Sequence, residues 1–274
     1  MLRRQDWTRL LIAAFLFVFV VPMCALAQDA QDVQVTPPPS RRIEPPPANA
    51  NPADLEERGD QLRSEKAYLD AIDYYEAALK KLPKGNAKAV VYNKVGMAQL
   101  MMGRVDDAKK NYEKAVKMDK TFPYAVNNLA YTHYTKKKYG KAIKLYKKAI
   151  ELNPNVASFH SNLGAAYFAK KEIEKAVPEY QIALSLDPDV LERRSATGQL
   201  THIASPEDRA RYSYVLAKMY AQNGMFDRSL LYLRRAIEEG YKEVDNAYKD
   251  TEFTELRKDP RFTALMEQKP SAIE

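Results

Sequence analysis

Small and aromatic side chains recur along this chain at a fixed interval. Leu129, Ala130, Ala142, Tyr146, Ala149, Asn153 and Pro154 return 34 residues later as Leu163, Gly164, Ala176, Tyr180, Ala183, Asp187 and Pro188. One interval earlier the pattern reads Val95, Gly96, Ala108, Tyr112 and Ala115. A further 37 residues back it reads Arg58, Gly59, Ala71, Tyr75 and Ala78, ending at Pro83. A later copy shows Leu216, Ala217, Ser229, Leu233 and Ala236. Self-similarity at such a period marks stacked supersecondary units, none of which buries its apolar face alone. Pro154 and Pro188 stop the helix before them, with Asn153 and Asp187 at the chain reversal.

The pattern resembles the tetratricopeptide repeat, a helix–turn–helix unit with small residues at positions 8, 20 and 27. Position 8 is Gly59, Gly96, Ala130, Gly164 and Ala217; position 20 is Ala71, Ala108, Ala142, Ala176 and Ser229. Position 27 is Ala78, Ala115, Ala149, Ala183 and Ala236. Small residues at 8 and 20 let the helices of one unit approach, and a small residue at 27 admits the next unit. The resemblance spans 52–243 and implies an all-α fold. Its expected architecture is a right-handed superhelical solenoid of about five units: 52–85, 89–122, 123–156, 157–190 and 210–243. Residues 191–209, with Ser195-Ala196-Thr197-Gly198-Gln199, are expected as an inserted polar loop closed by a helix start near Ser205, Pro206 and Glu207. Pro178 inside a second helix predicts a kink. Gly240 ends a helix, and 244–274 form a C-terminal cap and tail. There Phe253, Leu256, Phe262 and Leu265 are placed to cover the apolar end of the last unit.

The first 51 residues have a different character. Arg3, Arg4 and Arg9 precede an apolar run from Leu10 to Val21, Pro22 breaks it, and Ala25-Leu26-Ala27 follows. This order predicts a secretory signal cleaved between Ala27 and Gln28, giving an exported, periplasmic or extracytoplasmic protein. The competing expectation is an uncleaved inner-membrane anchor over residues 10–27, just long enough to span. Cys24 follows Met23 and Pro22, which departs from the small-residue pattern of a lipid-attachment site. Residues 28–51, with Pro37-Pro38-Pro39 and Pro45-Pro46-Pro47, predict a disordered Pro-rich linker.

The chain has 274 residues, 46% hydrophobic and 29% charged, a globular balance. A single cysteine excludes a disulfide framework or a Cys-based metal site. The net charge of +7 is not spread evenly: residues 104–148 carry thirteen Lys/Arg against four acids, while 149–274 carry seventeen against twenty. The basicity is therefore one zone, including Lys110, Lys114, Lys117, Lys144, Lys147 and Lys148 on expected second helices, the convex surface of such a fold.

No nucleotide-binding, nucleophile-elbow or zinc-protease motif occurs, and His133, His160 and His202 are too scattered for a catalytic or metal cluster. The expected protein is not an enzyme, binds no cofactor or metal, and takes no small-molecule substrate. Nucleic acid is excluded as a partner because base-reading and stacking residues are missing around the lysines.

By the resemblance, positions 2, 5, 6, 9, 12 and 13 of each first helix face a concave groove. These are Asn93, Lys94, Met97 and Met101; Tyr124, Asn127, Asn128, Tyr131 and Tyr134; Ser161, Asn162 and Phe168; Arg211, Tyr214 and Lys218. Asparagine amides donate and accept, which suits a peptide backbone, and Tyr, Met and Phe add adaptable apolar contacts. The carboxylate-binding clamp of cytosolic co-chaperones is not reproduced, since Glu56, Asp60, Lys94, Tyr124 and Asn128 hold its positions. The expected function is a cell-envelope interaction scaffold holding an extended peptide segment of a protein partner. The alternatives are a membrane-surface or assembly adaptor using the basic zone, against an anionic membrane or acidic protein, and a regulatory subunit of a cell-envelope enzyme.

Overall fold

The computed structural model describes residues 45–192 and 205–267. The expected signal with its Ala27–Gln28 junction, most of the Pro-rich segment, the centre of the 191–209 insertion and the last seven residues lie outside the described residues. Among the described residues all regular structure is helical. Five pairs follow one another: α1 (Pro52–Ser64) and α2 (Tyr68–Lys81), α3 (Asn86–Met101) and α4 (Val105–Met118), α5 (Pro123–Thr135) and α6 (Tyr139–Leu152), α7 (Ala157–Ala169) and α8 (Ile173–Leu186), α9 (Pro206–Gln222) and α10 (Phe226–Glu238). Three short 3-10 turns and α11 (Pro260–Glu267) complete the chain.

Each pair is closed by a three-residue turn with one recurring conformation. Its middle residue is left-handed in all five: Lys66 (φ 64°), Gly103 (74°), Lys137 (56°), Lys171 (64°) and Gly224 (70°). Glycine takes that conformation freely, whereas a lysine there brings its Cβ against the following carbonyl.

Within a pair, a tyrosine of the second helix fills a hole in the first. Tyr75, Tyr112 and Tyr180 are fully buried against Gly59, Gly96 and Gly164, where an added Cβ would lie 2.5, 2.6 and 2.9 Å from the ring. Tyr146 is likewise buried, in a unit whose small residue, Ala130, is also fully buried. The alanines at positions 20 and 27 are buried without exception, and Ser229, which replaces one, donates its hydroxyl to the Ala217 carbonyl at 2.7 Å. That internal bond satisfies a polar group in an otherwise alanine-lined contact.

The stretch 191–209 departs from a plain loop at its first described end. Residues 190–192 are helical and Leu191 is buried at 1% exposure, because it finds apolar cover beside the end of the fourth pair. At the other end α9 begins at Pro206, the start expected from Ser205, Pro206 and Glu207, and Ser205 caps it by accepting from the Asp208 amide at 3.1 Å. α8 continues through Pro178 to Leu186. After α10, Val244, Ala247, Phe253, Leu256 and Phe262 are buried in the core shared with α9 and α10. First helices of successive pairs touch, α3 with α5 and α5 with α7, whereas the second helices gain no comparable contact. The first helices therefore form the inner side of the stack.

Candidate functional site

The inner face is tied together by a repeated contact between neighbouring first helices. The residue at position 6 of one unit donates to position 5 of the unit before it. Lys94 Nζ on α3 reaches Glu56 on α1 at 2.6 Å; Asn128 on α5 donates to Asn93 at 2.9 Å; Asn162 on α7 donates to Asn127 at 3.0 Å. Asn127 also donates to Asn128 at 3.2 Å, so Asn93, Asn128, Asn127 and Asn162 form one continuous amide chain across three helices. Asn93 and Asn127 are nearly buried, at 6% and 7% exposure. The asparagines of this face thus spend much of their hydrogen-bonding capacity on one another.

Charge at both ends of the face is neutralised internally. Lys94 also bonds Asp60 at 2.5 Å, and Asp60 accepts from the Tyr75 hydroxyl at 2.8 Å. Burial pushes the Asp60 carboxyl up, but the bonds from Lys94 and Tyr75 outweigh it and hold the group below the usual carboxylate range. Burial likewise pulls the Lys94 ammonium down, and its bonds to Asp60 and Glu56 more than restore it, leaving it above the usual lysine range. At the far end Lys218 lies 3.0 Å from both Asp250 and Glu252, and the Tyr214 hydroxyl donates to Asp250 at 2.9 Å. Tyr214 also stacks on Tyr241, 4.5 Å between centroids. The C-terminal segment supplies to α9 the carboxylates and rings that a further repeat would present.

Between these ends the predicted groove residues are uncharged except for Arg211 on α9. Met101 and Tyr124 are its most exposed apolar groups, at 64% and 47%; Tyr124 meets the edge of Phe159. Met97 and Tyr131 are half-buried, and Tyr131 stacks on Tyr134, which is buried. Ser161 and Phe168 are buried, the latter edge-on to Tyr212 at 5.0 Å, and Arg211 is exposed. Of the predicted groove residues, then, Met101, Tyr124 and Arg211 stand open, Met97, Asn128, Tyr131 and Asn162 are half-open, and Tyr134, Ser161, Phe168 and Tyr214 pack inward.

The histidines have structural surroundings. His160 on α7 spans from Glu179 on α8 (2.7 Å) to the Pro154 carbonyl (2.9 Å), and His133 is held below the usual histidine range by burial and then by Lys109, Lys141 and Lys138. His202 lies outside the described residues. Among the described residues no cluster of His, Cys, Asp or Glu is arranged to hold a metal, and no helix is long and apolar enough to cross a membrane.

Three family models match the chain. Two, described as tetratricopeptide repeat, match residues 89–122 and 157–190, and one, described as TPR repeat, matches 131–171. The chain carries tetratricopeptide repeats. Two of these matches coincide with the second and fourth repeats read from the sequence. No curated protein matches the chain. Among solved structures, MamA is similar at 24% identity over 68% of this chain and 96% of its own, with a TM-score of 0.46. TTC0263, a thermophilic TPR protein of Thermus thermophilus, is 22% identical over 72% and 96%, TM-score 0.47. The first TPR of Spaghetti (RPAP3), bound to the HSP90 peptide SRMEEVD, is 30% identical over 43% and 91%, TM-score 0.38.

The contacts that sequence reasoning missed on this tetratricopeptide stack are those of Asp250 and Glu252 with Lys218 and Tyr214. Asp250 was legible as part of a closing segment, but that segment has no fixed repeat phase, so nothing in the spacing connects it to α9.

Proposed function

We propose that this tetratricopeptide repeat protein is a non-catalytic interaction scaffold that holds an extended, largely uncharged peptide segment of a partner on its inner face. The observation that carries this reading is the internal neutralisation of Lys94 by Glu56 and Asp60 and of Lys218 by Asp250 and Glu252. A charged ligand would have to displace those pairs, whereas an uncharged one meets amides, Tyr124, Tyr131 and Met101 with little to desolvate. The amide chain keeps the three central helices in register and leaves the outer lone pairs and N–H groups of Asn128 and Asn162 for a backbone.

The test is selection of binders from a random peptide library by wild type and by a Met101→Ala, Tyr124→Ala, Tyr131→Ala variant with an unchanged melting temperature. Selected peptides should be poor in charge, and the variant should bind them about tenfold more weakly, the size of a roughly 1.4 kcal/mol contact. Binders rich in Asp and Glu, or binders indifferent to the variant, would overturn the reading.

Export to the cell envelope belongs to the same proposal and rests on Arg3, Arg4, Arg9, the apolar run and Ala25-Leu26-Ala27. Intact mass from fractionated cells decides it. A soluble chain beginning at Gln28 supports export with cleavage; a membrane-bound chain retaining Met1 replaces it with an anchor.

A further inference from the structure

The charges of α6 oppose the helix that carries them. Lys141 lies in its first turn, beside the positive end of the helix dipole, and Glu151 lies in its last turn, beside the negative end. Lys144 stands three residues from Lys141 and four from Lys148, so it neighbours a like charge on both sides. Burial of Ala142, Ile143, Tyr146 and Ala149 turns Lys141, Lys144, Lys147 and Lys148 outward, and all four are exposed. Lys147 reaches toward the Tyr167 ring, 6.0 Å from its centroid, while Lys141, Lys144 and Lys148 have no carboxylate partner among the described residues. Among exposed lysines elsewhere, Lys110, Lys175 and Lys258 find one, in Asp107 (3.2 Å), Glu172 (2.9 Å) and Glu255 (2.7 Å), while Lys117, Lys120, Lys242 and Lys249 have none among the described residues. On α6 three such lysines share one stripe of the helix at i, i+3 and i+7, an arrangement that helix stability does not account for.

The row extends to the neighbouring outer helix. One repeat earlier, Lys110 and Lys114 hold on α4 the positions that Lys144 and Lys148 hold on α6. One repeat later, the Lys148 position is Ile182, exposed at 42%, with Leu186 beyond it at 40%. The corresponding outer position is thus basic on α4 and α6 and apolar on α8.

We propose that the outward face of α6 docks a short acidic segment of a partner protein. Lys141, Lys144 and Lys148 fall within about 10 Å along the helix axis, so three carboxylates on roughly two helical turns of the partner would meet all three. An anionic membrane fits less well, because a broad negative plane would also confront the exposed acid Glu151 at the end of the same helix. A narrow segment with an uncharged side chain opposite Glu151 escapes that repulsion, which a uniformly charged plane does not. This proposal is independent of the inner face.

The experiment uses the full chain and a fluorescent acidic peptide, about three helical turns long, with Glu at helical i, i+3 and i+4 positions between Leu and Ala, together with its Gln twin. Vesicles of equimolar phosphatidylcholine and phosphatidylglycerol form a second arm. The variants are Lys144→Glu with Lys148→Glu, the milder Lys144→Gln with Lys148→Gln, and a control, Lys242→Glu with Lys249→Glu, at two exposed lysines elsewhere. The acidic peptide should bind, weaken as salt rises, and lose about tenfold or more in affinity in the α6 charge reversal against less than about twofold in the control. The Gln pair should show a smaller loss in the same direction, which covers the case in which the reversal fails to fold. Equal loss in control and α6 variants, equal binding of the Gln twin, or no peptide binding would overturn the proposal. So would α6-dependent binding of the vesicles without peptide binding, which would make the face a membrane surface.

Discussion

The ring of Tyr112 occupies the place of a side chain on Gly96: a Cβ there would lie 2.6 Å from the ring's Cε1. Alanine at this helical position gains roughly 1 kcal/mol of propensity. Displacing a ring that is fully buried costs roughly 1–3 kcal/mol. Gly96→Ala should therefore destabilise the protein by up to about 2 kcal/mol in urea unfolding. A midpoint at or above wild type would show that Tyr112 yields without cost.

The left-handed turn residue offers the opposite change. Lys137 has φ 56°, a conformation costing a side-chain-bearing residue roughly 1–2 kcal/mol, part of which glycine returns through a more flexible unfolded chain. Lys137→Gly should gain about 0.5–1 kcal/mol, and Gly103→Ala should lose a similar amount. Chemical denaturation of the two variants checks both signs.

Between repeats, Ala149 is fully buried where the next pair docks. Ala149→Leu should cost roughly 1–3 kcal/mol by overpacking. Lys144→Ala, on the opposite side of α6, should shift stability by less than about 0.5 kcal/mol. Equal denaturation midpoints for these variants would contradict the packing phase.

Acid should weaken the contact of Lys94 with Asp60 at the N-terminal end of the inner face. The Asp60 carboxyl is depressed below its ordinary 3.8, so it adds stability above that value and loses it as pH falls through the folded value. Lys94→Met removes the main bond that depresses it. The gap in urea midpoint between wild type and this variant should narrow from about pH 7 to about pH 3. A gap independent of pH would mean that Lys94 acts through packing alone.

At the other end, Phe253 is fully buried beside Tyr214 and Phe262. Phe253→Ala should cost roughly 3–5 kcal/mol. Amide hydrogen exchange should rise in α9 and α10 before α1 and α2, because solenoid contacts are between neighbours. Uniform acceleration along the chain would argue that the cap stabilises the stack as a whole.

The repeat phase, the buried alanines at position 27 and the tyrosines at position 24 were all legible in the sequence. Each depends on a side chain's size at a fixed helical position, and the 34-residue period repeats that requirement until it stands out. The left-handed turn was not legible in this way, since lysine fills it in three pairs and glycine in two. Nor could spacing reveal whether Asn127 and Asn162 face a ligand or each other, because an amide suits both. Tertiary structure supplied the amide–amide contact by bringing α5 and α7 close enough for a 3.0 Å bond. It also joined Lys218 to Asp250 and Glu252, residues whose separation follows no period. The sequence by itself determined the helical units and their stacking, which are set by local volume and recur. The partners of polar groups were decided only in three dimensions, because hydrogen bonds and ion pairs depend on final distances between helices that no single unit encodes.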